Sequence, residues 1–246
     1  MRYPTLNAVI PVPAFCTPSR GVLLPSALRN CCAAPEAKDF IQHICRTFNF
    51  FGFCIDEGAS SPAVSLRFDA DCGKEGFRLS ISTDGIVLVA GGNNGFRYGI
   101  SALTQMLFAA CSRGADVAEL ECGEIADQPR FAYRSFMLDS ARHFQSADTI
   151  RQLLFLLSAL RINVFHWHLV DSQGWRLPLK CLPQLPKATQ EAGCYTKEEL
   201  RSIAKLAQSL GIEIVPEIDV PGHSGGILKS FPQYACNPEQ PGKEYC

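Results

Sequence analysis

The chain has 246 residues, 47% hydrophobic and 19% charged, with a formal net charge of -1. That supplies apolar material for one large core or two modest ones, and offers no electrostatic footprint for nucleic acid or an anionic membrane. No run of about 18 apolar residues occurs, so no membrane span is expected; Arg161 interrupts the longest apolar stretch, residues 153–165.

Twelve cysteines are many for a cytosolic enzyme and few for a disulfide scaffold. Their spacing is irregular, with Cys31 and Cys32 adjacent and no C-x-x-C, which argues against a zinc knuckle or a thioredoxin motif. Some disulfides in an oxidising compartment fit this count, while Cys45, Cys54 and Cys111 sit in apolar runs and read equally well as buried thiols. Prolines break the amino-terminal MRYPTLNAVIPVPAFC where a signal peptide needs a continuous apolar stretch, so a targeting segment lies upstream or does not exist.

In chain order, residues 36–48 predict a helix with Phe40, Ile41, Ile44 and Phe48 on one face. Residues 63–69 and 77–83 alternate at period two and predict strands. Asp84-Gly85 then predicts a hairpin turn into a third strand, 86–90. The glycine-rich residues 91–95 read as a turn and helix cap, since they lack the lysine of a P-loop and the spacing of a dinucleotide site. Ile100, Leu103, Thr104 and Leu107 stripe the helix that follows. Together these elements describe a small α+β domain, placed at 1–126.

Residues 127–130 read as a linker, after which strands and helices alternate. Residues 134–138 form a strand ending in Asp139. Ile150, Leu153, Leu154 and Leu157 mark a helix capped by Ser146 or Asp148, and residues 162–169 form the next strand. Thr196 to Glu199 is a capping box for a helix with Leu200, Ile203, Ala204 and Ala207 inward, stopped by Gly211. Residues 212–218 supply a third strand. Alternating units of this kind predict an α/β domain with buried, parallel strands, open or closed as a barrel, over 127–246. A (β/α)8 barrel takes about 250 residues, so the barrel looks cut short.

In such sheets, chemistry gathers at the carboxyl ends of the strands. Here three consecutive ends carry Asp139, Arg142 and His143; His166, His168 and Asp171; and Glu217, Asp219 and His223. Period two puts His166 with His168, and Glu217 with Asp219, on a common face. Each residue also has a plain structural reading. A strand histidine serves as a hydrogen-bonded core residue, and a carboxylate as a partner for loop N–H groups. Arg142 is well shaped to grip paired acceptors. Trp175 reads equally as a sugar platform or a core plug.

The segments QPRFAYRSFMLDSARHF, FHWHLVDSQGWR and EIVPEIDVPGHS, in this order, resemble the family-20 glycoside hydrolases, the β-N-acetylhexosaminidases. The upstream FRLSISTDGIVLVAGGNNGFRYGISALTQML resembles the non-catalytic α+β domain that precedes the barrel in that family, so the likeness covers nearly the whole chain. It implies removal of terminal N-acetylglucosamine or N-acetylgalactosamine from a glycoconjugate, without cofactor or metal. Catalysis is substrate-assisted: the 2-acetamido oxygen attacks the anomeric carbon while a glutamate protonates the leaving oxygen.

The resemblance places the catalytic Asp-Glu pair after a fourth barrel strand, and no counterpart occurs in these 246 residues; Asp56-Glu57 lies in the small domain. Carried over residue by residue, Arg142 matches the arginine that grips the 3- and 4-hydroxyls of the sugar. Asp171 and His223 match the pair that supports the general acid, and Asp139, His168, Glu217 and Asp219 match other pocket residues. Two departures are visible: Ser135 stands where glycine is usual and Ser172 where a second aspartate is common. The likeness also implies a lysosomal or secreted setting and leaves room for a homodimer in the full-length enzyme. Two other functions compete: a metal-dependent barrel hydrolase using His166 and His168 with Asp219 or His223, and an inactive truncated fragment that at most binds sugar.

Overall fold

The computed structural model describes residues 5–58, 63–112, 118–187, 193–237 and 239. The chain divides into two compact units, residues 1–132 with 159–161, and residues 133–158 with 162–246.

The first unit contains β1 (Phe15–Leu23), β2 (Asn30–Ala33), α1 (Ile41–Phe50), β3 (Asp56–Glu57), β4 (Val64–Phe68), β5 (Phe77–Ser82), β6 (Gly85–Ala90), α2 (Asn93–Cys111) and β7 (Leu120–Asp127). The strands form one mixed sheet in the order β1-β7-β5-β6-β4-β2-β3. Ile44 and Phe48 of α1 and Phe96, Leu103 and Met106 of α2 share a core with Leu66, Leu79, Leu88 and Ile125 of the sheet.

Local chemistry shifts some boundaries. The helix expected from residue 36 opens as a 3-10 turn, Pro35–Phe40, and becomes α-helical at Ile41. Phe40, Ile41, Ile44 and Phe48 are nevertheless all buried, because an apolar stripe tolerates the tighter first turn. The hairpin turns one residue earlier than expected: Gly85 already pairs with Ser82, leaving Thr83 and Asp84 in the turn. Gly85, at φ 157°, is needed for close approach, since a Cβ there would lie 2.2 Å from the Ala63 carbonyl oxygen. Strands β1, β2, β3 and β7 were not expected. β1 contains Pro18 and buries only its last residue, and β3 is two residues long, so neither carries a clear period-two pattern.

The second unit contains β8 (Ser135–Asp139), α3 (Ala147–Ala159), β9 (Val164–Val170), the short α4 (Gln184–Lys187), α5 (Lys197–Ser209), β10 (Glu213–Ile218) and α6 (Gly225–Ser230). The strands are parallel in the order β10-β9-β8. Ser146 caps α3 by accepting the Thr149 N–H at 3.2 Å. The Thr196–Glu199 capping box opens α5 as expected. Its inward face runs through Ile203 and Ala207, flanked by Leu200, Leu206 and Leu210, while Ala204 is exposed. Only β9 is buried along its length apart from His166; β8 and β10 are half-exposed edges, contrary to the expectation of three buried strands.

Candidate active site

The parallel register sets the site. Asp139 on β8 and Glu217 on β10 both pair with His168 on the central β9, so three polar side chains stand in one row at the carboxyl ends of the strands. A bulge follows at once: Ile218 pairs with Val170 rather than Leu169, which re-aims the end of β10. Asp219 remains close, and one ligand-capable atom each from His168, Glu217 and Asp219 lie within 4.8 Å of one another.

The turn after β8 places Arg142. Asp139 Oδ1 accepts the Arg142 backbone N–H at 2.9 Å, and its Oδ2 accepts Nη1 at 2.6 Å. Burial pushes the Asp139 carboxyl up, but the Arg142 hydrogen bonds, with attraction to His168 and Arg142, outweigh it and hold the group below its ordinary value. The other guanidinium nitrogen, Nη2, reaches Asp171 Oδ2 at 2.8 Å.

Asp171 is the hub. Its side chain has no solvent exposure, and the same Oδ2 lies 3.0 Å from His168 Nε2 and 3.4 Å from His223 Nδ1, while Oδ1 accepts the Ser172 N–H at 2.6 Å. His168 is buried, and its Nδ1 stands 2.9 Å from Glu217 Oε1 without hydrogen-bond alignment. His166 is half-exposed and sits 2.5 Å from Glu217 Oε2 through Nε2. His223 is exposed and held at φ 53°, a conformation uncommon for a non-glycine residue. The expected residues thus converge as Arg142, Asp139, Asp171, His168, Glu217, Asp219 and His223, whereas His143 is exposed beside them.

A second layer of side chains, of which the sequence singled out only Trp175 and Ser172, holds this group in place. Arg176 is fully buried. It donates from Nε to the Ser140 carbonyl at 2.8 Å, from Nη1 to Gly193 at 2.7 Å and from Nη2 to Ala141 at 2.5 Å. Burial pulls its guanidinium pKa down. Ser140 Oγ accepts from Trp167 Nε1 at 2.8 Å and Tyr195 at 3.2 Å and donates to Gln145 at 2.9 Å. Burial also pushes the Tyr195 hydroxyl pKa up. Trp175 is buried and donates to the Leu177 carbonyl at 2.7 Å, so it is a core plug. Ser172 is buried, and its Oγ accepts the Gly225 N–H at 3.3 Å, linking the loop after β9 to α6.

With this geometry established, the comparisons decide the family. The profile "Glycosyl hydrolase family 20, catalytic domain" matches residues 131–245, and "Glycosyl hydrolase family 20, domain 2" matches residues 8–128. The chain belongs to glycoside hydrolase family 20.

Family-20 relatives include a β-hexosaminidase of Porphyromonas gingivalis, 35% identical over 76% of this chain and 26% of that protein. A β-hexosaminidase of Vibrio furnissii is 30% identical over 85% of this chain and 36% of its own length. Among solved structures, a family-20 β-N-acetylhexosaminidase from Streptomyces coelicolor A3(2) superposes with TM-score 0.84 at 28% identity, over 97% of this chain and 52% of that one. A family-20 exo-β-N-acetylglucosaminidase from Vibrio harveyi, in complex with N-acetylglucosamine, gives TM-score 0.82 at 29% identity, over 93% and 38%. The chain therefore spans about a quarter to a half of the length of these relatives. Among the described residues, no helix is long and apolar enough to cross a membrane.

Proposed function

We propose that this chain forms the sugar-gripping side of a β-N-acetylhexosaminidase. That enzyme cleaves terminal, non-reducing N-acetylglucosamine or N-acetylgalactosamine by substrate-assisted, retaining catalysis. In this reading residues 1–126 are the non-catalytic domain and 127–246 open the catalytic barrel, with the Asp-Glu pair supplied from outside these 246 residues. The observation that carries it is the convergence of Arg142, His168 and His223 on the single buried oxygen Asp171 Oδ2.

The chemistry follows from that hub. Arg142 is clamped by Asp139 and Asp171, so its planar fork meets sugar hydroxyls pre-oriented, at little entropic cost. Asp171, anchored by the Ser172 N–H, holds a negative charge against His223 and so orients the imidazole towards the incoming general acid. The acid then protonates the leaving oxygen while the substrate's own acetamide oxygen closes on the anomeric carbon, releasing the aglycone and forming the oxazolinium ion. Water opens that ring from the face the aglycone left, which retains the configuration.

Expressing the longer protein and supplying an aryl N-acetylglucosaminide tests this directly. Release of the aryl group with retained anomeric configuration supports the proposal; inversion, or no release, overturns it. The lysosomal or secreted setting and the homodimer belong to the same reading.

The closeness of His168, Glu217 and Asp219 favours a second reading, a metal-dependent hydrolase. Both oxygens of Glu217 face the histidine pair, which an ordinary charge-assisted contact explains equally well. Stoichiometric zinc on elemental analysis, with activity lost to a chelator, would reverse the ranking.

A further inference from the structure

In the first unit, Cys31 lies on β2 with no solvent exposure, and the partly buried Cys45 faces it from α1, sulfur to sulfur at 3.5 Å. Neither the family reading nor the active-site geometry uses this pair. The eleven described cysteines are all free thiols, and Cys246 lies outside the described residues. Cys32 follows Cys31 on the same strand, so its side chain points to the opposite face of the sheet. β2 is four residues long and is followed in the sheet only by the two-residue β3.

We propose that Cys31 and Cys45 are a redox-responsive pair, converted by a low-molecular-weight disulfide into a bridge between β2 and α1. The Cys45 thiolate attacks one sulfur of the small disulfide, whose S–S bond breaks; the departing thiolate takes up the proton Cys45 released. Cys31 then loses its proton to solvent and attacks Cys45 Sγ, expelling the second small thiolate, which is protonated in turn. Two protein thiols are oxidised, and one small disulfide is reduced to two thiols. Cys45 makes the first attack because it alone of the two is accessible. Burial raises the pKa of the Cys31 thiol, and continues to do so once Cys45 carries the adduct, which makes its attack the slow step. Well below that raised pKa its thiolate fraction, and the closure rate, rise roughly tenfold per pH unit.

Native protein is incubated with oxidised glutathione, alkylated and mapped by mass spectrometry. The expected product is a peptide pair joined through Cys31 and Cys45, preceded by a glutathione adduct on Cys45 that decays roughly tenfold faster one pH unit higher. Cys31→Ser leaves the adduct on Cys45 unresolved, and Cys32→Ser leaves the bridge unchanged. Because Cys45 is only partly buried, Cys45→Ser, with folding checked by circular dichroism, serves as the control and abolishes both adduct and bridge. A link through Cys32, Cys31 and Cys45 both still alkylatable after oxidation, or a bridge that forms only in denaturant would overturn the pairing.

Discussion

Arg142 reaches Asp171 at 2.8 Å, joining an exposed guanidinium to a carboxylate with no exposed surface. The same carboxylate oxygen faces His168 and His223, so one buried carboxylate orients three side chains at three strand ends. Replacing it with the isosteric amide, Asp171→Asn, removes the charge and keeps the volume. Charged hydrogen bonds of this kind contribute about 1.5–3 kcal/mol, and urea unfolding of the chain is expected to show a loss in that range. In the longer enzyme proposed above, kcat is expected to fall on the order of a hundredfold, more than KM rises. An unaltered kcat would remove Asp171 from the supporting role.

Arg142 separates binding from folding. Its side chain is 41% exposed, so Arg142→Lys is expected to leave the unfolding midpoint within about 0.5 kcal/mol of the parent. A lysine keeps the charge and loses the planar fork, so KM for an aryl N-acetylglucosaminide is expected to rise roughly ten- to a hundredfold. Steady-state kinetics on the longer enzyme read this out, and an unchanged KM would exclude Arg142 from the sugar contact.

Most of this row was legible because strand ends are short-range features. Asp139, His168 and Glu217 are each fixed by their position on a strand, and parallel pairing then aligns them without further information. Arg176 was not legible. Nothing in the sequence says that a guanidinium in QGWR serves three backbone carbonyls from loops 35, 36 and 17 residues away. The partial exposure of β8 and β10 was also hidden, since a period-two or run-like pattern describes a strand and not its neighbours. In the first unit β1 escaped notice because its pairing with β7, not its own side chains, makes it a strand.

Asp139 gives the site an acid limit. Its carboxyl is held below the ordinary value of 3.8 in the folded chain, so the folded form binds fewer protons than the unfolded chain as the pH falls through that value. The stabilisation is therefore complete above about pH 4 and is lost as the pH drops through the lower folded value. Asp139→Asn is expected to flatten this part of the acid limb in urea midpoints measured from about pH 6 to pH 2. An acid limb as steep as that of the parent would assign the effect to other carboxylates.

Gly174 is expected to be intolerant of any side chain. A Cβ there would lie 2.3 Å from Arg176 Cζ and 2.5 Å from the Ala141 carbonyl oxygen, and Arg176 cannot withdraw without abandoning its three acceptors. Gly174→Ala is expected to cost about 1–3 kcal/mol by overpacking and to loosen the turn that carries Arg142. Hydrogen exchange of the residue 139–145 segment checks the second effect; unchanged protection would confine the damage to the mutated turn.

Arg161 illustrates a residue that breaks an apolar run for a structural reason. It is 5% exposed, pairs with Asp127, lies 5.4 Å over the Phe77 ring and adopts φ 61°. Burial pulls its guanidinium pKa down to about 10, still charged at neutral pH. Arg161→Ala removes the cation facing the buried Asp127 Oδ2, while Oδ1 keeps the Ala14 and Gln128 N–H groups, and is expected to cost about 3 kcal/mol. Arg161→Gly loses the same ion pair but relieves the left-handed backbone, so it is expected to unfold about 1 kcal/mol later than the alanine variant. Combining Arg161→Met with Asp127→Asn removes both charges and is expected to recover most of the loss. Urea midpoints of the three variants distinguish charge from backbone strain. If alanine and glycine are equally damaging, the guanidinium alone accounts for the position; if the double variant is no better than alanine, the contact over Phe77 outweighs the ion pair.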